Sequence, residues 1–160
     1  MTIKLDHALA DPRAWRPTEC AIAGALEVLG PRSSLLIMRE ALLFGVRRFD
    51  LFVTRVGVTE AVAAARLKHL TEAGLLTREP YKEPGSRTRY EYVPTQKGRD
   101  LTPVVIALME WGAKYLKPDG APLSVVDDAS REPVRVGYLA ADGTERTEED
   151  LRIQPTRSGR

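Results

Sequence analysis

The chain has 160 residues, of which 43% are hydrophobic and 29% are charged. This composition supports one modest buried core and excludes a disordered chain. No apolar run approaches the roughly 20 residues of a membrane-spanning helix, and the first residues lack the apolar segment of a secretory signal. We therefore expect a cytoplasmic protein without a membrane partner, in which the single cysteine, Cys20, cannot form an internal disulfide.

The net charge of +2 hides an asymmetry along the chain. Residues 1–118 carry 18 Lys or Arg against 13 Asp or Glu, whereas residues 119–160 carry 6 against 9. A positive surface attracts phosphate, so we expect a nucleic-acid-binding surface in the first part. The expected organisation is an N-terminal arm (residues 1–18), a main domain (19–117) and a small acidic, β-rich extension with a frayed tail (118–160).

The first two predicted helices follow the arm. Residues 19–29 have the spacing of a short amphipathic helix, and Gly30 with Pro31 closes it. Ser33 or Ser34 is expected as the N-cap of the second helix. The apolar residues of that helix are spread too widely for a free surface, so we expect it to be buried. They are Leu35, Leu36, Ile37, Leu42 and Leu43.

Two further helices and a hairpin come next. Apolar residues at helical spacing predict a third helix over residues 49–56, ending at Gly57. Thr59 is the expected N-cap of a fourth helix that ends at Gly74. Its expected inward residues are Ala63, Leu67 and Leu70. Residues 75–81 and 88–93 have strand-like patterns, and the segment 83–86 between them supplies turn residues.

The main domain ends in a long apolar stripe. Residues 95–116 return to helical spacing, and Pro103 either kinks this helix or restarts it. A stripe of this length needs a partner surface, and a second copy of the chain is the simplest one. Trp111 and Tyr115 fit a dimer core better than a ligand cage. The candidate interface residues are Leu101, Val105, Leu108, Trp111 and Tyr115.

The extension is expected to contain short strands at residues 123–126 and 133–139, with a turn at 142–143. Thr147 and Asp150 have the spacing of a small capping box. The whole order of elements predicts an α+β fold, mainly α. It is a winged helix-turn-helix with a long C-terminal dimerisation helix and a small β-rich C-terminal appendage.

Several short segments between Cys20 and Leu116 occur in a recognisable order. They are residues 20–22 (Cys-Ala-Ile), 35–40 (Leu-Leu-Ile-Met-Arg-Glu), 47–49 (Arg-Arg-Phe), 65–70 (Ala-Arg-Leu-Lys-His-Leu), 72–76 (Glu-Ala-Gly-Leu-Leu), 90–92 (Tyr-Glu-Tyr), 95–98 (Thr-Gln-Lys-Gly) and 111–112 (Trp-Gly). In this order and spacing they resemble the HxlR-type helix-turn-helix regulators, relatives of the MarR group. Each segment alone is weak, but together they make a strong match.

The resemblance implies a homodimeric bacterial transcription regulator with a winged-helix fold, often a repressor and sometimes an activator. Several members of the family use a cysteine at the position of Cys20 as an oxidant sensor. This chain has Ala21 and Ser33 where the family usually has Pro and Trp, which implies that a signal-sensing site around these positions is altered or lost. Free cysteines are also often buried and inert, so both roles of Cys20 stay open.

The predicted DNA-binding residues lie on the fourth helix, on the hairpin and before the third helix. Arg and Lys can donate to guanine or phosphate, Thr can donate to either, and Ala can contact a thymine methyl group. On the hairpin and before the third helix, the cations are alternatively plain solvated charges. The candidates are Thr59, Glu60, Ala61, Ala64, Ala65, Arg66 and Lys68 on the helix, Lys82, Arg87 and Arg89 on the hairpin, and Arg47 and Arg48.

Three functional hypotheses follow. The first is a dimeric DNA-binding repressor whose two recognition helices read an imperfect palindrome, regulated by a small molecule or an oxidant. The second is a winged-helix module for protein contacts only, with the acidic extension as its docking surface. The third, an enzyme, has little support, because the sequence lacks a phosphate-binding Gly loop, a nucleophile elbow and a metal cluster. We expect no cofactor and no metal site.

Overall fold

The computed structural model describes residues 3–11, 13, 20–82, 85, 87–117 and 119–155. The helices are α1 (Ala21–Leu29), α2 (Arg32–Leu43), α3 (Phe49–Val56), α4 (Glu60–Glu72), α5 (Gln96–Arg99) and α6 (Thr102–Leu116). The strands are β1 (Lys4–Leu5), β2 (Leu76–Tyr81), β3 (Arg89–Pro94), β4 (Tyr138–Leu139), β5 (Glu145–Arg146) and β6 (Arg152–Ile153). Short 3-10 turns occupy His7–Leu9 and Glu148–Asp150.

Helix α2 is the centre of the fold. Ile37 and Met38 are fully buried, and α1, α3, α4 and α6 all contact this helix. The prediction that α2 is buried is therefore confirmed. The predicted cap is wrong, because Pro31 is the N-cap and Ser34 lies inside the helix, completely buried. Pro31 lacks an N–H and has an extended backbone, so it cannot continue α1. The chain turns by 82° between α1 and α2, and α2 begins at Arg32, earlier in the chain than predicted.

The helix-turn-helix pair consists of α3 and α4. Gly57 closes α3 in the left-handed conformation, with φ 69°, which an L side chain adopts only at a cost. The Thr59 side chain then accepts a hydrogen bond from the Val62 N–H, so the predicted N-cap of α4 is confirmed. The predicted inward residues Ala63, Leu67 and Leu70 are all completely buried.

A two-stranded hairpin follows α4. Strands β2 and β3 pair antiparallel, with Leu76 opposite Pro94 and Tyr81 opposite Arg89. Of the predicted tip, only Gly85 lies among the described residues. The Tyr92 ring meets Phe52 of α3 edge to face, with 6.3 Å between the centroids. This contact attaches the hairpin to the helix-turn-helix.

The predicted long helix is divided in two. Thr95 caps the four-residue α5, and its hydroxyl also donates to the Gly74 carbonyl at 2.6 Å. Pro103 lies in the first turn of α6, where its missing N–H costs nothing. Pro103 therefore restarts a helix rather than kinking one.

The extension contains little regular structure. Of the two strands predicted there, the described residues keep an isolated bridge between Val126 and Pro133 and the two-residue strand β4, which pairs with β5. The capping box at Thr147 and Asp150 is confirmed. The structure also pairs β6 with β1 of the N-terminal arm, which the sequence did not predict. Part of the predicted arm, residues 1–2, 12 and 14–18, lies outside the described residues, as does Glu19, the predicted start of the first helix.

Three turn aspartates of the extension have a pKa below the usual value, chiefly because a nearby backbone N–H donates to each carboxylate. The pairs are Asp127 with Ser130, Asp142 with Thr144, and Asp150 with Thr147. These bonds favour the charged carboxylates and help to define the turns.

No single helix in the described ranges is long and apolar enough to cross a bilayer. Only α1 and α2 taken together, as a pair bent by 82°, reach the required length and apolar composition.

Gly98 of α5 provides a test of this packing. A Cβ at this position would lie 2.1 Å from the Leu75 carbonyl oxygen and 3.4 Å from Met38 Cε. We expect Gly98→Ala to lower the free energy of unfolding by about 1–3 kcal/mol, because backbone and core must both shift. Gly24→Ala in α1 is the matched control, since nothing lies within 4 Å of its Cβ. Urea denaturation measures both; equal stabilities of the two variants would contradict this packing.

Candidate nucleic-acid interface

The outer face of α4 is open to solvent. The buried residues Ala63, Leu67 and Leu70 recur every three or four positions, so the remaining positions point away from the core. Six of the seven predicted contacts on this helix are exposed, and Arg66 is the exception. The exposed ones are Thr59, Glu60, Ala61, Ala64, Ala65 and Lys68. A helix presented in this way can enter a groove without unfolding.

The cations of α4 are not equally available. Lys68 Nζ lies 3.8 Å from a carboxylate oxygen of Glu72, one turn later, and both side chains are exposed. Such a pair is weak in water and can exchange for another anion. Arg66 is half-buried, and its Nε is shielded from solvent without a hydrogen-bond partner within the described part of the chain. Arg66 therefore lies at the flank of the exposed face.

The hairpin carries the other group of cations. Lys82, Arg87 and Arg89 are exposed near its end. Closer to the body, the Arg78 guanidinium lies 3.7 Å from the centre of the Tyr90 ring. A stacked guanidinium keeps its charge but loses freedom of movement, so Arg78 is positioned more firmly than the three cations near the tip.

Arg47 and Arg48 join the start of α3 to the hairpin. The Arg47 carbonyl accepts a hydrogen bond from the Tyr92 N–H at 2.9 Å, and its guanidinium lies 3.6 Å from the Glu91 carboxylate. The Arg48 guanidinium lies 5.2 Å from the centre of the Tyr81 ring, and this residue is the N-cap of α3. Both side chains are exposed, and each lies beside a side chain of the hairpin.

The predicted interface residues of α6 divide into two groups. Val105 is only 6% exposed and Leu101 packs against the core, so these two contribute to the protomer's own interior. Leu108, Trp111 and Tyr115 are between 50% and 59% exposed. The Trp111 and Tyr115 rings lie 5.7 Å apart and form a continuous apolar surface.

Cys20 is half-exposed and occupies the N-cap of α1, where its side chain makes no capping bond. Within the described ranges no group of three or more His, Cys, Asp or Glu side chains could hold a metal ion.

The family follows from this fold and from comparison with known proteins. A family model described as HxlR-like helix-turn-helix matches residues 28–120, which is more than half of the chain. This chain belongs to the HxlR-like helix-turn-helix family. The resemblance inferred from the sequence is thereby confirmed, and so is the predicted winged helix-turn-helix fold.

Named relatives of this HxlR-like chain are transcriptional regulators rather than enzymes. An uncharacterised HTH-type transcriptional regulator of Mycobacterium tuberculosis is 42% identical over 106 residues, which are 66% of this chain and 65% of the relative. The chain thus spans slightly less than two thirds of that relative's length. The expectation that the protein is not an enzyme agrees with its family.

Solved structures extend the comparison beyond the family domain. PA1607, a candidate transcription factor, has a TM-score of 0.75 and 34% identity over 88% of this chain and 97% of that one. The redox regulator HypR in its reduced form has a TM-score of 0.54 and 25% identity over 61% of this chain and 95% of that one. Residues 1–118 are less than 88% of this chain, so the match to PA1607 must include part of the extension.

Two features of the structure around this site, one exposed and one buried, were not predicted. Ile22 and Leu26 of α1 are more than half exposed, although helical spacing suggested a packed face. Glu40 is 1% exposed and is bound by Arg39 and Arg55. The available signal for the second feature was a charged pair, Arg39 and Glu40, inside an otherwise apolar helix.

The presentation of α4 depends on its N-cap, which can be tested without any ligand. Thr59→Ala removes the acceptor for the Val62 N–H. We expect it to lower the free energy of unfolding by about 1 kcal/mol. Thr59→Ser retains the hydroxyl and is the matched control, expected to lie close to the parent in chemical denaturation. A Thr59→Ala variant as stable as the parent would show that the cap does not hold this helix end.

Proposed function

We propose that the protein is a homodimeric, cytoplasmic, DNA-binding transcription regulator, and specifically a repressor. The observation that carries the proposal is the exposed face of α4 beside a hairpin with exposed arginines, in a chain of the HxlR-like helix-turn-helix family. In this arrangement α4 enters the major groove of DNA, and the hairpin reaches the minor groove or its phosphates. We keep the division into arm (1–18), main domain (19–117) and extension (118–160) as part of the proposal.

The composition of α4 predicts how the operator is read. Ala61, Ala64 and Ala65 offer only methyl groups, which suit thymine methyls. Glu60 repels phosphate unless it accepts from a cytosine amine, and Lys68 is the exposed cation of this face. With so few donors, we expect DNA shape and bridging water to supply much of the specificity.

The hairpin and the start of α3 supply the electrostatic part of binding. Arg87 and Arg89 near the tip have open access to phosphate, and Arg47 and Arg48 extend the positive surface along one side. Arg47 is partly neutralised by Glu91, whose carboxylate lies 3.6 Å from the guanidinium. Binding through such contacts weakens steeply with salt, because each neutralised phosphate releases counterions.

The wing arginines give the direct test. Arg87→Ala together with Arg89→Ala should weaken binding to a fragment selected from genomic DNA. Because the proposed dimer has two wings and so loses four arginines, the slope of log K against log salt should fall by up to about 4. Titrations of labelled DNA at several salt concentrations measure both effects. Thermal unfolding should be unchanged, since both side chains are exposed.

The matched control is Arg131→Ala together with Arg135→Ala, which removes the same charge from exposed positions of the extension. An equal loss of DNA affinity in this control would show that the wing effect comes from net charge alone. An unchanged salt slope in the wing variant would remove the wing from the mechanism. A purified chain that retains no DNA fragment at low salt would favour the alternative, a module for protein contacts only.

Dimerisation is proposed through α6, and α1 is its natural companion. Leu108, Trp111 and Tyr115 on α6, and Ile22 and Leu26 on α1, are large apolar residues that are at least half exposed. A second copy covers this surface with an identical one. The two α4 helices are then expected about 34 Å apart, which matches successive major grooves and an imperfect palindrome.

Leu108→Glu tests the dimer. A charge buried between two copies is costly, so we expect the variant to be monomeric and to bind the selected DNA at least about tenfold more weakly. Val62→Glu places the same charge on an exposed apolar residue of α4 and should remain dimeric. Analytical ultracentrifugation distinguishes the two; a parent chain that is already monomeric at micromolar concentration would contradict the dimer.

We also propose that DNA binding is regulated. A small molecule or an oxidant would act by shifting the population between dimers that can and cannot bind DNA. Cys20 is the proposed oxidant-responsive residue, since it is accessible at the start of α1. The similarity to HypR, whose structure is described as that of a redox regulator, supports this role.

A further inference from the structure

A large cavity lies between α2, α3, α6 and the start of the extension. Its volume is about 630 Å³, which exceeds that of a small aromatic or medium-chain organic molecule. Most of its wall is apolar, contributed by side chains of α2 and α6 with Leu123 closing one side. The apolar lining residues are Leu43, Phe44, Leu108, Met109, Leu116 and Leu123.

One side of this cavity is strongly polar. Glu40 is 1% exposed, and its carboxylate is shared by two guanidinium groups. Arg39 Nε donates to Glu40 Oε1 at 3.0 Å, and Arg55 Nε donates to Oε2. The two arginine side chains remain 38% and 43% exposed, and both residues line the cavity.

The charges in the lining do not cancel. Arg39, Arg55 and Lys117 contribute three positive charges and Glu40 one negative charge. Arg55 is further oriented by the Phe44 ring, whose centre lies 4.8 Å from its guanidinium carbon. Positive charge in the wall of an apolar cavity favours a molecule that is apolar along its length and anionic at one end.

We propose that this cavity binds a small organic carboxylate with an apolar body. The carboxylate would lie between Arg39 and Arg55, with Lys117 at the side, and the apolar body would lie against α6. Arg55 is the specificity-determining residue, because its planar guanidinium can donate two parallel hydrogen bonds to a carboxylate. An uncharged molecule of the same shape would gain the apolar contacts but would leave the positive charges unpaired.

This site is connected to the DNA-reading helix by a short segment of chain. Arg55 is on α3, and Gly57, which turns the chain into α4, follows two residues later. Glu40 holds α3 against α2 through Arg55. A bound carboxylate competes with Glu40 for Arg55 and so changes the preferred position of α3. The regulatory consequence rests on the proposed DNA-binding function, but the binding site itself does not.

The test measures binding to the full chain without DNA. Isothermal titration calorimetry compares 1-naphthoate with the uncharged 1-naphthamide, which has the same ring system. We expect the naphthoate to bind at least about tenfold more tightly. Arg55→Gln should reduce this difference to less than about threefold, and Glu40→Gln should tighten naphthoate binding because the internal competitor loses its charge.

A second pair of variants covers the case in which a change at the buried cluster prevents folding. Lys117→Ala removes a cation of the lining at the C-cap of α6, whereas Lys114→Ala removes an exposed cation in the last turn of α6 that lies outside this cavity. Naphthoate should bind Lys117→Ala about threefold or more weakly and should bind Lys114→Ala like the parent. Equal effects of the two variants, or equal affinities for acid and amide, would overturn the proposal.

Separate measurements of ligand binding and DNA binding distinguish a failure of the proposed cavity from a failure of the proposed DNA-binding function. A chain that binds naphthoate through Arg55 but retains no DNA supports the cavity and contradicts the proposed function. Conversely, a chain that binds DNA and ignores naphthoate at millimolar concentration contradicts the cavity alone. If both hold, naphthoate should change the affinity for the selected DNA in the parent and not in Arg55→Gln.

Discussion

Helix α2 has apolar side chains on almost every side and therefore needs covering from several directions at once. The surrounding helices provide this cover, and the positions of α3 and α4 follow from it. Leu67 and Leu70 are drawn completely into the same core, which leaves the opposite face of α4 in solvent. The outward presentation of α4 is thus a consequence of core burial rather than of any property of its exposed residues.

Charge is distributed at two levels around this core. On the outside, exposed cations lie on the hairpin and at the start of α3, as expected of a surface that exchanges water for phosphate. On the inside, Glu40 is fully buried and bound by Arg39 of its own helix and by Arg55 of α3. A buried carboxylate must be paired, so this cluster holds α2 and α3 in register and also places positive charge beside an apolar cavity.

The apolar residues of α6 do not all belong to the core. Val105 faces inward, but Leu108, Trp111 and Tyr115 continue the stripe into solvent. Glu110 accepts from the Val136 N–H at 3.3 Å and so fastens the extension to the same helix. One helix therefore contacts the core, the cavity and the extension, and it also carries the proposed dimer face. A change in any one of these can reach the others through a rigid element.

The sequence by itself determined the parts whose causes are local. Glycine at a left-handed position ends α3, Thr59 caps α4, and apolar spacing identifies the inward residues of α4, because each effect acts within one or two turns. Segment order likewise identified the family. Tertiary structure alone decided the rest: the burial of Ser34, the pairing of β1 with β6, the inward side of Leu101 and Val105, and the meeting of Glu40 with Arg55. These depend on contacts between residues far apart in the chain, and local periodicity cannot specify which surface another element will cover.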